Sequence, residues 1–270
     1  MNGQPGVSVA VTDRGFSYGD GLFETLRFDA GRPLLLERHL QRLQHGLERL
    51  LIPADGLLDL LRDELAMLCR PHPGGLLKIL VTRGEGGRGY WGKVDRGPTR
   101  VVQRFASPDY PRQWFEQGVE LFPCQTRLGL NPRLAGIKHL NRLEQILARS
   151  EWQDQYPEGV VCDLEGYVVE GTMSNLFMVK NGALYTPKLD RCGVAGVVRA
   201  VIIDSANKAG IDCHETRIRQ DQLAQADALF MTNTGFGVLP VKRLGEQNYP
   251  SHPYTAMARE WLEEARRCEC

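Results

Sequence analysis

The sequence is marked first by what it lacks. It has no surplus of either charge, because 33 basic residues balance 33 acidic ones over 270 positions. A broad electrostatic footprint for nucleic acid or for an anionic membrane is thereby excluded. No apolar run approaches the length of a membrane span, and the N-terminus, Met1-Asn2-Gly3-Gln4-Pro5-Gly6, lacks the basic and apolar regions of a signal peptide. The expectation is a cytoplasmic protein. The seven cysteines are scattered, and only Cys268 and Cys270 lie close together, so neither a zinc pattern nor a disulfide framework is present. Reduced thiols that serve mostly in packing are expected. What remains is ordinary for a globular enzyme, 42% hydrophobic and 24% charged.

Along the chain, Val7 to Val11 reads as a first strand, Arg14 to Gly21 as a glycine-rich loop and Leu22 to Phe28 as a second strand. Leu36, Leu40, Leu43, Leu47 and Leu50 repeat at helical spacing, which predicts an amphipathic helix with Arg42 off its apolar stripe. A second helix spans Leu57 to Cys69, and strands span Leu76 to Thr82 and Arg100 to Phe105. Between those strands, Arg83-Gly84-Glu85-Gly86-Gly87-Arg88-Gly89-Tyr90 is loose enough to present amides and arginines to an anion. It lacks the lysine and hydroxyl ending of a nucleotide loop. Ser107-Pro108-Asp109-Tyr110-Pro111 is the candidate linker between domains.

In the second half, Lys138 follows a glycine at the mouth of a segment whose Leu140, Leu143, Ile146 and Leu147 fall at helical spacing and would bury one face. A lysine so placed can attack a carbonyl as a neutral amine when desolvated. On position alone, though, it reads as a solvated residue at a helix start. Hairpins are predicted around Glu165-Gly166 and Asn181-Gly182. Gly193-Val194-Ala195-Gly196 leads into a helix whose first amides form an anion site. Asn233-Thr234-Gly235 is a polar exit from a buried strand at Ala228 to Thr232.

Three stretches in this order and spacing carry a resemblance that covers essentially the whole chain. They are Leu134-Ala135-Gly136-Ile137-Lys138-His139-Leu140-Asn141-Arg142-Leu143-Glu144-Gln145, then Arg83 to Tyr90, then Glu170-Gly171 followed by Ser174-Asn175-Leu176-Phe177. The chain resembles the aminodeoxychorismate lyases, a branch of the fold-type IV family of pyridoxal-phosphate enzymes that also includes branched-chain and D-amino-acid aminotransferases. The resemblance implies an α+β protein of two domains. A small N-terminal α/β sandwich at 1–107 and a linker at 108–113 would precede a larger C-terminal pseudo-barrel domain at 114–270, which binds the cofactor. It also implies a homodimer.

Residue roles follow from the same resemblance. Lys138 looks like the lysine that holds pyridoxal 5'-phosphate as a Schiff base and then moves protons, and Glu170 like the carboxylate paired with the pyridine nitrogen. Arg42 resembles the arginine that grips the cofactor phosphate. Gly196 and Val197 match the amides that complete the phosphate cradle, and Thr234 matches a further hydroxyl. The implied reaction converts 4-amino-4-deoxychorismate to 4-aminobenzoate and pyruvate, with Lys138 removing the C4 proton. For the two substrate carboxylates, Arg88 with Tyr90 is the first choice and Arg83 with Asn233 the second. Glu24, in Gly21-Leu22-Phe23-Glu24-Thr25-Leu26-Arg27, follows the aminotransferase pattern where some lyases carry threonine. An aminotransferase is therefore the first alternative, and a non-catalytic small-molecule-binding relative is the alternative of another class.

Overall fold

Leu22, Glu24, Leu26 and Phe28 are buried while the residues between them are more exposed, and this period of two builds a strand with one inward face. The structure is a computed structural model that describes residues 1–6, 8–92 and 97–269. The protein is an α+β fold, with two sheets among the described residues. Two compact units are formed, one from Met1–Pro108 with Ile137–Asn141 and Glu269, the other from Asp109–Gly136 with Arg142–Cys268.

The first unit runs α1 (Arg14–Tyr18), β1 (Gly21–Asp29), β2 (Arg32–Pro33), α2 (Leu36–Arg49), α3 (Leu57–Cys69), β3 (Gly74–Thr82) and β4 (Thr99–Phe105). Its sheet has the order β2-β1-β3-β4 and is antiparallel throughout. The helical period of α2 turns His39, Leu40, Leu43, Gly46 and Leu47 inward. Gly46 permits a close approach to β1, since a Cβ there would stand 2.8 Å from the Leu22 methyls.

The second unit continues with α4 (Arg112–Gln117), β5 (Val119–Leu128), α5 (Leu143–Arg149), β6 (Glu158–Asp163), β7 (Tyr167–Gly171), β8 (Asn175–Lys180) and β9 (Ala183–Pro187). It ends with α6 (Val197–Lys208), β10 (Cys213–Thr216), β11 (Ile218–Arg219), α7 (Gln220–Leu223), β12 (Ala228–Asn233), β13 (Gly237–Leu244), β14 (Gln247–Asn248) and α8 (Pro253–Cys268). The large sheet has the order β10-β9-β8-β12-β13-β5-β6-β7-β11, with β14 paired to β13. Its core gathers Leu121, Leu176, Met231 and Leu239. The β8–β9 turn at Asn181-Gly182 has φ of 50° and 76°, the double positive φ that the Asn-Gly signal requires.

Three local expectations are corrected. Residues 8–11 form no strand, and Val7 lies outside the described residues. Arg14 to Tyr18 is a helix rather than loop, because Asp13 caps it through Oδ1 to the Gly15 amide and Gly19 ends it at φ 65°. No helix starts at Lys138. Helix α5 begins five residues later, and Leu143, Ile146 and Leu147 point outward at 72%, 60% and 59% exposure instead of burying a face. The helix turns Ala148, fully buried, inward in their place.

Candidate active site

Lys138 is held by backbone pairing, not by a helix. The Phe23 amide donates to the Lys138 carbonyl at 2.9 Å, the Leu140 amide donates to the Gly21 carbonyl at 2.9 Å, and Leu22 and His139 form an antiparallel bridge. A β-type register sends neighbouring side chains to opposite sides. Ile137 is fully buried, while Lys138 is half-buried with its Nζ 4.3 Å from the centre of the Phe23 ring, a cation–π distance.

The inward face of β1 carries a carboxylate among leucines. Glu24 accepts from Arg42 Nε at 2.8 Å and Nη2 at 2.6 Å, and its Oε2 lies 2.7 Å from His39 Nδ1. Burial pulls the Glu24 pKa up, but the Arg42 charge and hydrogen bond and the His39 hydrogen bond outweigh it and bring it down to about 2. Burial also lowers the His39 pKa, against the pull of Glu24 and with help from the charges of Arg42 and Lys138. An ionised carboxylate only accepts, so a neutral His39 carries its proton on Nδ1. Its bare Nε2 is then a buried acceptor with no hydrogen-bond partner among the described residues. Arg42, off the leucine stripe, is therefore turned toward β1, with its side chain 12% exposed.

In the glycine-rich loop the arginines part company. Arg83 binds Asp20 through Nε at 2.7 Å and reaches the Leu50 and Leu51 carbonyls at 2.7 Å each, closing the C-terminal end of α2. Arg14 also binds Asp20 and donates to the Gly89 and Tyr90 carbonyls. The Tyr18 hydroxyl accepts from the Gly89 amide. This anchored loop displays Arg88, Tyr90 at 90% exposure and Trp91 at 86%.

In the second unit, Glu170 is the last residue but one of β7, at 5% exposure. Its Oε2 accepts the Val194 amide at 2.8 Å and its Oε1 accepts from Gln145 Nε2 at 3.3 Å. Arg142 is close enough for Glu170 to raise its pKa, although burial is stronger and lowers it overall. Asn175 Nδ2 donates to the Val194 carbonyl at 2.9 Å. Gly196 precedes α6 without any side-chain cap, so the first-turn amides that include Val197 have no side chain competing for them there. Asn233 is committed locally: Oδ1 accepts from the Phe236 amide at 2.8 Å, and Nδ2 lies 3.4 Å from the Met173 carbonyl. Thr234 is half-buried on the same turn.

Lys138, Arg42, Arg83, Arg88 and Tyr90 thus fall in the first unit, and Glu170, Gly196, Val197, Asn233 and Thr234 in the second. Sequence reasoning missed His39, Phe23, Asn175, Gln145 and Arg142. For His39 a signal existed, since it occupies an inward position one residue before Leu40 on the α2 stripe.

A family model described as amino-transferase class IV matches residues 21–244. The chain is 36% identical over 242 residues to the aminodeoxychorismate lyase of Vibrio harveyi, covering 89% of each. It is 27% identical over 248 residues to the D-alanine aminotransferase of Bacillus licheniformis, covering 90% of this chain and 86% of that one. Among solved structures, 4-amino-4-deoxychorismate lyase from Pseudomonas aeruginosa superposes with a TM-score of 0.93 at 46% identity, covering 97% of both chains. With the model matched over most of its length and relatives this similar, the chain belongs to the class IV aminotransferase family.

Proposed function

We propose that the protein is a pyridoxal-phosphate enzyme that releases pyruvate and 4-aminobenzoate from 4-amino-4-deoxychorismate. The observation that carries this reading is the 46% identity to the Pseudomonas aeruginosa lyase over 97% of the chain. A likeness of that size extends well beyond the fold, which the aminotransferases share.

The residues present suit the cofactor. A half-buried lysine amine suits its aldehyde, and the buried Glu170 carboxylate, fixed by Val194 and Gln145, suits its ring nitrogen. The uncapped start of α6 at Gly196 and Val197 suits its phosphate, with Arg42 and Thr234 as further donors. Thr232 Oγ1 and Gln145 Oε1 are buried without a hydrogen-bond partner among the described residues, polar groups in want of a ligand or water. When bound, the cofactor supplies an electron sink for the carbon that bears the substrate amine.

The chain's own residues do the rest. Lys138 Nζ takes the proton from C4 of the substrate. Glu170, its carboxylate held by Val194 and Gln145, would pair with the ring nitrogen and favour the protonated form of that nitrogen. Arg88 and Tyr90 bind the substrate carboxylates, with Arg83 and Asn233 as the second choice. Loss of the enolpyruvyl ether completes an aromatic ring, which makes the step downhill. The decisive test incubates cofactor-loaded protein with aminodeoxychorismate and no keto acid. Pyruvate and 4-aminobenzoate should appear in equal amounts, and their absence defeats the lyase reading.

Amino-group transfer is the second reading. It is favoured by Glu24, which follows the aminotransferase pattern and is tied to Arg42 and His39, and by the D-alanine aminotransferase likeness. Transfer from a branched-chain or D-amino acid to a keto acid, faster than release from aminodeoxychorismate, would establish it. The protein works in the cytoplasm as a homodimer, in which a second copy covers the outward Leu143, Ile146 and Leu147 of α5.

A further inference from the structure

Glu158 opens β6 at 1% exposure and, among the described residues, is hydrogen-bonded to no lysine or arginine. An unaided carboxylate at that depth is costly, and the chain meets the cost with donors rather than with a countercharge. Oε1 accepts the Gly159 amide at 2.9 Å, the Thr172 amide at 2.9 Å and the Thr172 hydroxyl at 2.5 Å. Oε2 accepts the Met173 amide at 3.2 Å and the Ser174 hydroxyl at 2.6 Å. Four of these five donors come from three consecutive residues, the turn between β7 and β8.

That turn is closed on itself as well. The Gly171 amide donates to the Ser174 carbonyl at 2.7 Å, and a Cβ at Gly171 would stand 2.9 Å from Glu158 Cδ and 2.3 Å from Ser174 Oγ. Only glycine leaves room for the carboxylate to sit inside the turn.

The two residues that flank this locked turn converge on one target. Glu170, just before it, accepts the Val194 amide, and Asn175, just after it, donates to the Val194 carbonyl. Both polar groups of Val194 are thus held from the two ends of the segment 170–175. Two residues further on, a Cβ at Gly196 would come within 2.0 Å of Asn175 Oδ1. The distance between the ends of 170–175 therefore decides where Val194 and the start of α6 lie relative to the Glu170 carboxylate, and Glu158 sets that distance.

We propose that Glu158 is a positioning residue, whose buried carboxylate locks the 171–174 turn and through it fixes Glu170 and Asn175 on Val194 and the first turn of α6. The consequence for catalysis rests on Glu170 acting as the partner of the cofactor's ring nitrogen. An ionised carboxylate offers about four lone-pair sites and no donor, whereas a glutamine in its place turns an NH₂ group toward at least one of the donors.

The test compares Glu158→Gln with Glu151→Gln, a control in the same unit whose carboxylate also holds two backbone amides, those of Gln125 and Thr126, both at 2.7 Å. Amide hydrogen exchange is read first on cofactor-free protein. In Glu158→Gln, exchange should quicken about tenfold not only at 171–175 but also at 193–197, and Glu151→Gln should leave both segments unchanged. In the loaded enzyme, cofactor affinity and kcat should each fall about tenfold with KM little altered, and the pH titration of the cofactor's visible absorbance should shift in the same direction as in Glu170→Gln. Faster exchange confined to 171–175, with unchanged affinity and titration, overturns the proposal. If Glu170→Gln leaves the titration unmoved, the role of Glu170 fails instead, and exchange at 193–197 still decides for or against Glu158. Should Glu158→Gln not fold, the double variant Thr172→Val with Ser174→Ala removes two donors and leaves the carboxylate. Quicker exchange at 193–197 is then the supporting result and unchanged exchange the contrary one.

Discussion

Arg42 holds both oxygens of Glu24, with Nε 2.8 Å from Oε1 and Nη2 2.6 Å from Oε2, where Glu24 is only 1% exposed. Removing one partner of such a pair strands a buried charge and costs about 3–5 kcal/mol. Arg42→Ala should therefore lower stability in urea unfolding by that amount, and adding Glu24→Gln should recover part of it. If Arg42→Ala unfolds like the parent, the pair is not the anchor described.

The same network sets an acid limit. Glu24 has a folded pKa of about 2 against an ordinary 4.5, so its contribution is complete above pH 4.5 and is lost as pH falls toward 2. His39 has a folded pKa below its ordinary 6.5. The unfolded chain therefore binds its proton first, and stability declines as pH drops below 6.5. Both slopes have the same sign. Urea midpoints should fall from pH 7 to pH 5 in the parent, and this decline should flatten in His39→Gln. The further loss between pH 4.5 and 3 should flatten in Glu24→Gln.

Lys138→Ala should abolish attachment of the cofactor. Borohydride treatment of the loaded parent should add the mass of the reduced cofactor to the peptide that contains Lys138, and the variant should show no adduct. Turnover should drop about 10²- to 10⁴-fold, the range for a lost proton-transfer group. An adduct on another lysine would reassign the role.

The two loop arginines should respond differently. Arg88→Ala, at an exposed position, should raise KM about 10- to 100-fold with little change in melting temperature, as expected for the loss of a hydrogen bond to a charged group. Arg83→Ala breaks the contacts to Asp20 and the Leu50 and Leu51 carbonyls and should cost about 1–3 kcal/mol of stability. Kinetics and calorimetry on the pair would expose a reversed assignment.

Charge placed on α5 should separate protomers without unfolding them. Ile146→Lys and Leu147→Glu alter side chains that are 60% and 59% exposed in the single chain, so the melting of an isolated protomer is little affected. Light scattering should report a dimer for the parent and a monomer for the double variant. A parent that is monomeric at micromolar concentration would remove the dimer from the account.

Much of this was readable in the residues. The α2 stripe, the Asn181-Gly182 turn and the glycine leading into α6 depend on local periodicity and local φ preferences, which spacing reports directly. The stretch after Lys138 misled because Leu143, Ile146 and Leu147 have helical spacing whichever side they face. Periodicity gives a face but not its direction. The grip of Glu158 on residues fourteen to sixteen positions away left no local trace, because the glycine and hydroxyl residues it needs, Gly171, Thr172 and Ser174, are ordinary turn residues that nothing near Glu158 in the chain points to. Glu24 did leave one, as a charge in an inward slot of an alternating strand.

The assignment of Ile137–Asn141 to the first unit bears on the order of synthesis. Residues 1–108 emerge from the ribosome with Glu24, His39 and Arg42 already available to pair, but the amides and carbonyls at Gly21 and Phe23 that will hold Lys138 and Leu140 must wait for some thirty further residues. The N-terminal unit therefore cannot close around this segment until about half of the chain has been made, and the Lys138 side chain is brought into place at that step.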